Sequence, residues 1–531
     1  MAKVVKAALS KPLVYRLFDP GYTIYHRAAL GGLAATVRAW QRRPDIAPAG
    51  ITADLHPDQV TLTWNDDITD EEALGRILAA SFKRTKDSLI DLPGQGIDAD
   101  LDSLRLAVHQ GILGTFLQSK DARKVESEGG MLPLKNPDDG STEMLRYRGV
   151  ATYFHQTAHQ RLTITENDGE GITAEIVQWI VPGAVKGAEA LNAPLKETFL
   201  LLFLMVGCAV FILRPRRYNK RKQDVQRNKF RFCLVVPDVK DLNRFTTALA
   251  RISSVQNVVE GLRMDYLDRV VGGVEEAALR FLIDLETQEK VAIQYRSVAE
   301  CMAVGMGKVA WDKQQINRSS MIKVNQDYPE IEVFKVARNY RNNKLIKIKT
   351  GETIAEVITP VPELIAANLA GQRHWCARFK SLIETRSEFK TMLFDMRGGL
   401  RDMSKAVKDE EDRAIIEVFQ EAWNRTMGQM GGRAGRQGSS LERSFDTRAE
   451  RIRNEILRAK NADQMANWFL RFCANATKGK PISAFGDEAI RKKVYNLIFD
   501  QRNFDRFQNL CLFALVSYAS DETKATTGGN Q

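Results

Sequence analysis

The spacing of apolar residues predicts both strands and helices at the start of the chain. Residues 60–64 alternate between apolar and polar, which is typical of a half-buried strand. Residues 13–17 form a shorter strand candidate that stops at the turn formers of residues 19–21. Apolar positions in residues 25–40 recur at steps of three and four and predict an amphipathic helix. We therefore predict a mixed α/β N-terminal region over residues 1–194.

Residues 195–358 are predicted to form a second, middle α/β region. Residues 232–236 are wholly apolar and predict a buried strand, which we expect Pro237 to end. Asp241 then stands where the N-cap residue of a following helix belongs. Further strands are predicted at residues 291–295, 331–336 and 346–349.

The C-terminal region, residues 359–520, has helical periodicity almost throughout. It opens with Pro360 and Glu363, a combination that is typical of the first turn of a helix. We expect a loop rich in glycine and arginine, residues 426–440, to interrupt the bundle, and residues 521–531 to form a disordered tail. The predicted fold class is α+β, in which a mixed α/β N-terminal and middle region is followed by a C-terminal all-α helical bundle.

An uncharged, mostly apolar run occupies residues 199–213 and is followed at once by arginines and lysines. This order is also that of a membrane anchor with a positive cytoplasmic flank. A helix of that length spans about 22 Å, whereas the hydrocarbon core of a bilayer is about 30 Å thick. Lys196 and Glu197 prevent the run from extending backwards. A buried core element is the favoured interpretation, and a membrane-anchored scaffold is the alternative.

The chain carries 77 lysines and arginines against 66 acidic residues, which gives a formal net charge of +11. Folding does not require such a charge, so it indicates an anionic partner, either nucleic acid or a membrane surface. The six cysteines are scattered and form no CxxC pair, which argues against a zinc ribbon and against a disulfide framework. A reduced, cytoplasmic protein without a signal peptide is the simplest interpretation.

The motifs of common catalytic and metal sites are incomplete in this sequence. Residues 305–309 resemble a phosphate-binding loop, but Val309 replaces the serine or threonine that would hold magnesium. His155 and His159 lie four residues apart, but Gln156 replaces the glutamate base of a zinc protease. We therefore expect a protein that is not an enzyme, with no catalytic residue, no metal site and no cofactor. An enzyme with a dispersed site is a third interpretation.

Lysines and arginines concentrate in three segments that contain few acidic residues: residues 214–231, 335–349 and 425–443. Phosphates attract flexible cations, while exposed bases stack on aromatic rings such as Tyr218 in the first segment. The predicted nucleic-acid-binding residues are Arg214, Arg216, Arg217, Lys220, Arg221, Lys222, Arg227 and Lys229, then Arg338, Arg341, Lys344 and Lys347, and finally Arg433 and Arg436. The alternative for each segment is an ordinary solvated surface or linker.

Short motifs along the chain occur in the order found in a known family. Leu-Phe-Asp-Pro-Gly at residues 17–21 is followed by His-Arg-Ala-Ala-Leu-Gly-Gly-Leu-Ala-Ala at residues 26–35. The apolar residues 201–208 and the Leu-Val-Val-Pro-Asp of residues 234–238 come later. Together they resemble the large subunit of the Cascade effector complex in one branch of type I-B CRISPR systems.

The resemblance implies a non-catalytic subunit at the foot of a crRNA-guided complex. Such a subunit helps to hold the 5′ handle of the crRNA, recognises the protospacer-adjacent motif (PAM) in double-stranded target DNA, and stabilises the R-loop. Its partners are the backbone, handle-binding and small subunits of Cascade, with a separate helicase-nuclease or transposition proteins acting afterwards. Under this interpretation there is no membrane partner.

If roughly six to eight of the predicted cations contact phosphates, the logarithm of affinity should fall with the logarithm of salt concentration at a slope of about −5 to −7. Fluorescence anisotropy of a labelled nucleic acid, titrated with protein at several salt concentrations, measures this slope. A slope near zero would contradict the predicted interface.

Overall fold

The computed structural model describes most of the chain and divides it into two compact units. The described residues are 11–117, 129–135, 142–151, 153, 179–180, 190–191, 195–213, 218–219, 224–225, 231–254, 265–306, 320–325, 327–339, 344–347, 354–357, 359–437, 441–477 and 482–518. The first unit comprises Met1–Gln326 and Asn343–Ile358, and the second comprises Asp327–Asn342 and Thr359–Gln531. The chain therefore enters the second unit, returns to the first, and enters the second again.

The first unit contains the described strands and seven of the described helices. Its strands are β1 (Leu13–Arg16), β2 (Ile51–Leu55), β3 (Gln59–Trp64), β4 (Lys83–Arg84), β5 (Ile90–Asp91), β6 (Gly130–Lys135), β7 (Thr142–Tyr147), β8 (Trp179–Ile180), β9 (Ala190–Leu191), β10 (Ala209–Leu213), β11 (Tyr218–Asn219), β12 (Asp224–Val225), β13 (Arg231–Val239), β14 (Val270–Val271), β15 (Val298–Met306), β16 (Ser320–Asn325), β17 (Lys344–Lys347) and β18 (Ile354–Val357). Its helices are α1 (Ile24–Arg42), α2 (Asp70–Ser81), α3 (Asp102–Thr115), α4 (Leu195–Leu202), α5 (Leu204–Gly207), α6 (Leu242–Ile252) and α7 (Val274–Glu289).

The second unit is helical in its described residues. Its helices are α8 (Ile331–Asn339), α9 (Pro360–Ala370), α10 (Arg386–Lys390), α11 (Arg397–Ala406), α12 (Glu410–Gln437), α13 (Leu441–Arg458), α14 (Ala462–Thr477), α15 (Ser483–Gly486), α16 (Glu488–Ile498) and α17 (Phe504–Val516). The α+β fold class predicted from the sequence is confirmed.

The first unit contains two main β-sheets, and their strand pairs are mostly antiparallel. A three-stranded sheet has the order β1-β3-β2, and Val60, Leu62 and Trp64 on β3 point to its buried side. A five-stranded sheet has the order β14-β10-β13-β15-β16, in which only the short β14 runs parallel to its neighbour. The strands predicted at residues 13–17 and 60–64 and the helix predicted at residues 25–40 are confirmed.

Three of the predicted strand features are wrong: the end of a strand at Pro237 and the strands at residues 291–295 and 331–336. Pro237 does not end β13, because a register irregularity at this residue lets the strand continue to Val239. Residues 293–295 form a short 3-10 turn, and residues 331–339 form α8. The buried residues of α8 are Val333, Phe334 and Ala337, whose spacing is that of a helix stripe.

The predicted loop at residues 426–440 is also wrong for most of its length, because α12 continues to Gln437. The glycines in this part of α12 lower its intrinsic helix propensity. Tertiary packing compensates, since Ile415, Phe419 and Trp423 on the same helix are fully buried against α14, α16 and α17.

The apolar run of residues 199–213 is divided among three elements and is buried. It contains the end of α4, a turn at Phe203, all of α5 and the strand β10, and its side chains belong to the core of the first unit. No helix among the described residues combines the length and apolar character that a bilayer span requires. The membrane-anchor alternative is therefore not favoured.

Helix α1 packs against this run with its backbone in direct contact. A Cβ atom built on Gly32 would lie 2.1 Å from the Phe203 carbonyl oxygen and 2.6 Å from the Gly207 nitrogen. A Cβ atom on Gly207 would lie 1.9 Å from the Ala28 carbonyl oxygen. Backbone atoms cannot rotate away, so the contact requires glycine on both sides.

We expect Gly32→Ala to destabilise the first unit by about 3 kcal/mol, because the added methyl group forces α1 away from α5. Hydrogen exchange of the α1 amides should then be about 100-fold faster. Gly428→Ala on α12 is the control, because a Cβ atom there would meet nothing within 4 Å and alanine favours the helix by about 1 kcal/mol. Unchanged α1 exchange in Gly32→Ala would contradict the close contact.

Candidate nucleic-acid interface

The first predicted basic segment connects two neighbouring strands of the five-stranded sheet. Leu213, the last residue of β10, is the register partner of Arg231, the first residue of β13. The chain thus leaves and rejoins the sheet at one residue pair, and within the segment β11 pairs antiparallel with β12. The predicted cations of this segment lie outside the described residues; they are Arg214, Arg216, Arg217, Lys220, Arg221, Lys222, Arg227 and Lys229.

The second predicted basic segment is shared between the two units. Lys335 on α8 forms an ion pair with Glu332 at 3.0 Å, and Arg338 on the same helix is only 3% exposed. Lys344 and Lys347 lie on β17 in the first unit, opposite Val357 and Ile354 on β18. Arg341 lies outside the described residues. The segment is therefore divided between the two units, and the buried Arg338 is not part of the proposed interface.

The third predicted basic segment lies largely on a helix. Positions 433 and 436, predicted as phosphate contacts, are one turn apart on α12. Up to Gln437 the backbone amides of this segment lie inside a helix, where they already donate to carbonyl groups of the preceding turn. Any phosphate contact here therefore depends on the side chains of Arg433 and Arg436.

Several arginines elsewhere are neutralised by carboxylates and stabilise the fold. In the first unit, Arg27 pairs with Asp238 at 2.5 Å and Arg105 pairs with Asp91 at 2.6 Å. Arg280 pairs with Glu276, and both side chains are almost completely buried. Such paired cations are unavailable to a phosphate unless a carboxylate is displaced.

An arginine cluster that the sequence prediction missed lies at the end of α1. Arg38 donates a hydrogen bond to the Asn243 side chain at 2.9 Å, and its pKa is lowered by burial and by the nearby positive charge of Arg42. Arg42 and Arg43 are exposed and form no ion pair with a carboxylate among the described residues. We call Arg38, Arg42 and Arg43 the α1 arginine cluster. The three arginines near the end of the predicted helix are visible in the sequence. Cations at a helix C-terminus are equally explained by their interaction with the helix dipole, so they did not indicate a binding site.

The described residues contain no group of three or more histidines, cysteines, aspartates and glutamates that could hold a metal ion. All six cysteines are buried. Burial raises the pKa of each thiol, so these cysteines lack the thiolate character of a nucleophile or metal ligand. The predicted phosphate-loop remnant is mostly outside the described residues, and so are His155 and His159.

Asp412, which is fully buried at the start of α12, joins several polar side chains of the second unit. It accepts hydrogen bonds from the Trp375 indole at 2.7 Å and from Arg506 at 2.8 Å, and lies 2.7 Å from the His374 ring nitrogen. Burial raises the pKa of Asp412, but His374, Arg506 and Trp375 together bring it below the ordinary value. Arg506 also contacts Asp409 and Glu411, so this cation is fully neutralised within the unit.

Comparison with known proteins finds two domain families and one curated relative. Residues 14–202 match the DevT N-terminal domain, and residues 404–530 match the DevT C-terminal domain. The chain is also similar to the CRISPR-associated protein Cas8a1/Csx13 of Myxococcus xanthus, with 26% identity over 417 residues. This similarity covers 73% of the present chain and 68% of the relative.

We expect Asp412→Asn to destabilise the second unit by about 3 kcal/mol, because the change leaves Arg506 without a buried charge partner. Hydrogen exchange of α12 and α17 amides reports this loss. Asp505→Asn is the control, because its ion pair with Lys380 is exposed and contributes about 0.5 kcal/mol or less.

The dependence of the second unit's stability on acid pH tests the same interaction between Asp412 and Arg506. The pKa of Asp412 in the folded protein is lowered below its value in the unfolded chain, which is about 3.9. The ionised carboxylate therefore contributes fully to the stability of the second unit above that pH, and this contribution is lost as the pH falls through the folded pKa. Stability of the second unit in Asp412→Asn should therefore fall less steeply below about pH 4 than in the unmodified protein. Equal slopes would contradict the assignment.

Proposed function

We propose that this chain, a homologue of the CRISPR-associated protein Cas8a1/Csx13, is the non-catalytic large subunit of a crRNA-guided type I Cascade complex. The observation that carries the proposal is the similarity over most of the chain, together with matches to both DevT domains. In this role it binds the crRNA 5′ handle, recognises the PAM in double-stranded target DNA and stabilises the R-loop. The same subunit would serve antiviral defence or a transposon-associated system.

The geometry supports a role in which the first unit offers cations to a nucleic-acid backbone. The segment between Leu213 and Arg231, which holds eight predicted cations, begins and ends at one residue pair of the five-stranded sheet. The α1 arginine cluster adds two exposed guanidinium groups that no described carboxylate neutralises. Backbone contacts of this kind supply affinity, while guide pairing supplies sequence specificity.

In this role the chain itself breaks no bond, and other proteins carry out cleavage. Buried thiols of raised pKa and the lack of a metal-ligand group among the described residues are compatible with a binding role. The partners are the crRNA, the target duplex, and the backbone, handle-binding and small subunits of Cascade. A helicase-nuclease or transposition proteins would act on the assembled R-loop. The complex would work in the cytoplasm, where it meets foreign DNA.

Co-expression of this chain with its partner subunits and guide should give an assembly that contains RNA of uniform length. Within that assembly, Arg216→Ala, Arg217→Ala and Arg221→Ala together should weaken target-duplex binding about 10-fold or more. They should also make the slope of log affinity against log salt concentration less negative by about 2–3, because each lost phosphate contact removes about 0.9 from this slope. Anisotropy titrations over a range of salt concentrations measure both quantities.

The matched control removes the same charge from exposed arginines that already have carboxylate partners. Arg76, Arg386 and Arg451 pair with Glu72, Glu450 and Glu455, so replacing these three with alanine should leave affinity and salt dependence nearly unchanged. An assembly without RNA of uniform length would overturn the proposed function. Equal effects of the two triple variants would overturn the role of the segment 214–231.

A further inference from the structure

Strand β2 lies at one edge of the three-stranded sheet and is paired on one side. Its register with β3 joins Ile51 to Trp64 and Leu55 to Val60, and it packs on α1 from the buried side of the sheet. The Ile51 amide donates to the Pro48 carbonyl at 3.3 Å, and no other backbone group of the described residues bonds to the outer side of β2. That side is therefore open to a further strand.

The hydrogen bonds to β3 determine which residues of β2 turn their backbone groups outward. The Asn65 amide donates to the Gly50 carbonyl at 3.2 Å, and the His56 amide donates to β3 at 2.9 Å. Backbone groups alternate in direction along a strand, so the even-numbered residues of β2 bond to β3 and the odd-numbered residues point away. Ala53 and Leu55 therefore present their amides and carbonyl groups to the outside.

Edge strands normally carry features that prevent pairing with another chain, such as proline, lysine or a bulge. The other edge of this sheet has such protection, because Pro12 precedes β1 and the Arg16 amide donates to the Asp19 side chain at 3.4 Å. Strand β2 contains no proline, no lysine and no irregularity of register over its five residues. Its one charged residue is Asp54.

The charges beside β2 select the kind of strand that can pair with it. Asp54 and Asp58 are exposed, and neither forms an ion pair with a cation of the described part of the chain. Lys11 is engaged by Asp66 at 2.6 Å, Arg16 lies on β1 beyond β3, and the α1 arginine cluster belongs to the helix on the buried side of the sheet. This edge therefore attracts a positively charged strand and repels a phosphate backbone.

We propose that β2 accepts an extended basic segment of a partner protein as a fourth strand of this sheet. Backbone hydrogen bonds to Ala53 and Leu55 supply the affinity, and alternate side chains of the partner supply the specificity. One set of these side chains lies beside Asp54 and is positive, while the other set lies beside Ala53 and Leu55 and is apolar. This inference goes beyond the proposed function and does not depend on it, because strand addition requires no guide RNA.

The test uses the full chain and a fluorescent peptide of about ten residues in which valine alternates with lysine, with affinity measured by anisotropy. One control peptide has glutamate in place of every lysine. A second control carries an N-methyl group on every valine, whose amides face β2 in an antiparallel pair. The lysine peptide should bind, and both controls should bind about 10-fold more weakly or less, because they lose charge attraction or backbone hydrogen bonds.

Three variants of the chain locate the binding at this edge. Ala53→Pro removes an outward amide without removing a bond to β3 and should weaken the lysine peptide about 10-fold or more. Val14→Pro is the matched control, because this residue points outward at the opposite edge, and it should leave the affinity unchanged. Asp54→Lys should reverse the preference, so that the glutamate peptide binds more tightly than the lysine peptide. Unchanged exchange of the α1 amides shows that each variant is folded.

Hydrogen exchange of the β2 amides identifies the occupant of the edge. In the free chain, the Ala53 and Leu55 amides should exchange quickly while those of Thr52 and Asp54 are protected, and the lysine peptide should slow the first pair. Protection of the first pair at every protein concentration would mean that the chain covers its own edge. Protection that rises with protein concentration would mean that a second copy covers it. Either result overturns the proposal, and so does equal binding of the three peptides.

Discussion

Backbone contact between α1 and α5 is the constraint on which the architecture of the first unit depends. Gly32 and Gly207 allow the two helices to approach without intervening side chains, and Ala28 and Phe203 supply the opposing carbonyl groups. Because β10 follows α5 after one residue, this contact also positions the strand at which the basic segment 214–231 begins. The packing of α1 on α5 in the core thereby determines the position of the strand that the basic segment follows.

The arrangement of charge in this protein separates two kinds of arginine. Arg105, Arg280 and Arg506 are held by carboxylates in partly or fully buried positions, where they join elements of the fold. Exposed cations such as Arg42 and Lys492 have no carboxylate partner among the described residues. A count of basic residues alone cannot distinguish these classes, so a net charge of +11 indicates an anionic partner but does not locate its surface.

The sequence predicted an element correctly where the spacing of its apolar residues fitted only one type of secondary structure. Strand β3 and helix α1 were found because alternation and a three-to-four spacing are distinct signals. Helix α8 was mistaken for a strand because Ile331, Val333 and the neighbouring β-branched residues fit both patterns over a short length. The end of α12 was mistaken for a loop because its glycines disfavour a helix locally, whereas tertiary contacts stabilise it.

The second unit is assembled from two separate stretches of chain. Helix α8 packs on α9 and α11, with Val333 and Phe334 fully buried, and Glu330 accepts hydrogen bonds from the Lys408 and Asp409 amides. A gene fragment that starts at residue 359 would encode the later helices without this cover and would leave apolar surface of α9 and α11 in contact with water. Recombination that transplants the C-terminal bundle between relatives therefore needs more than one junction, and the bundle is inherited most readily together with the segment that precedes it.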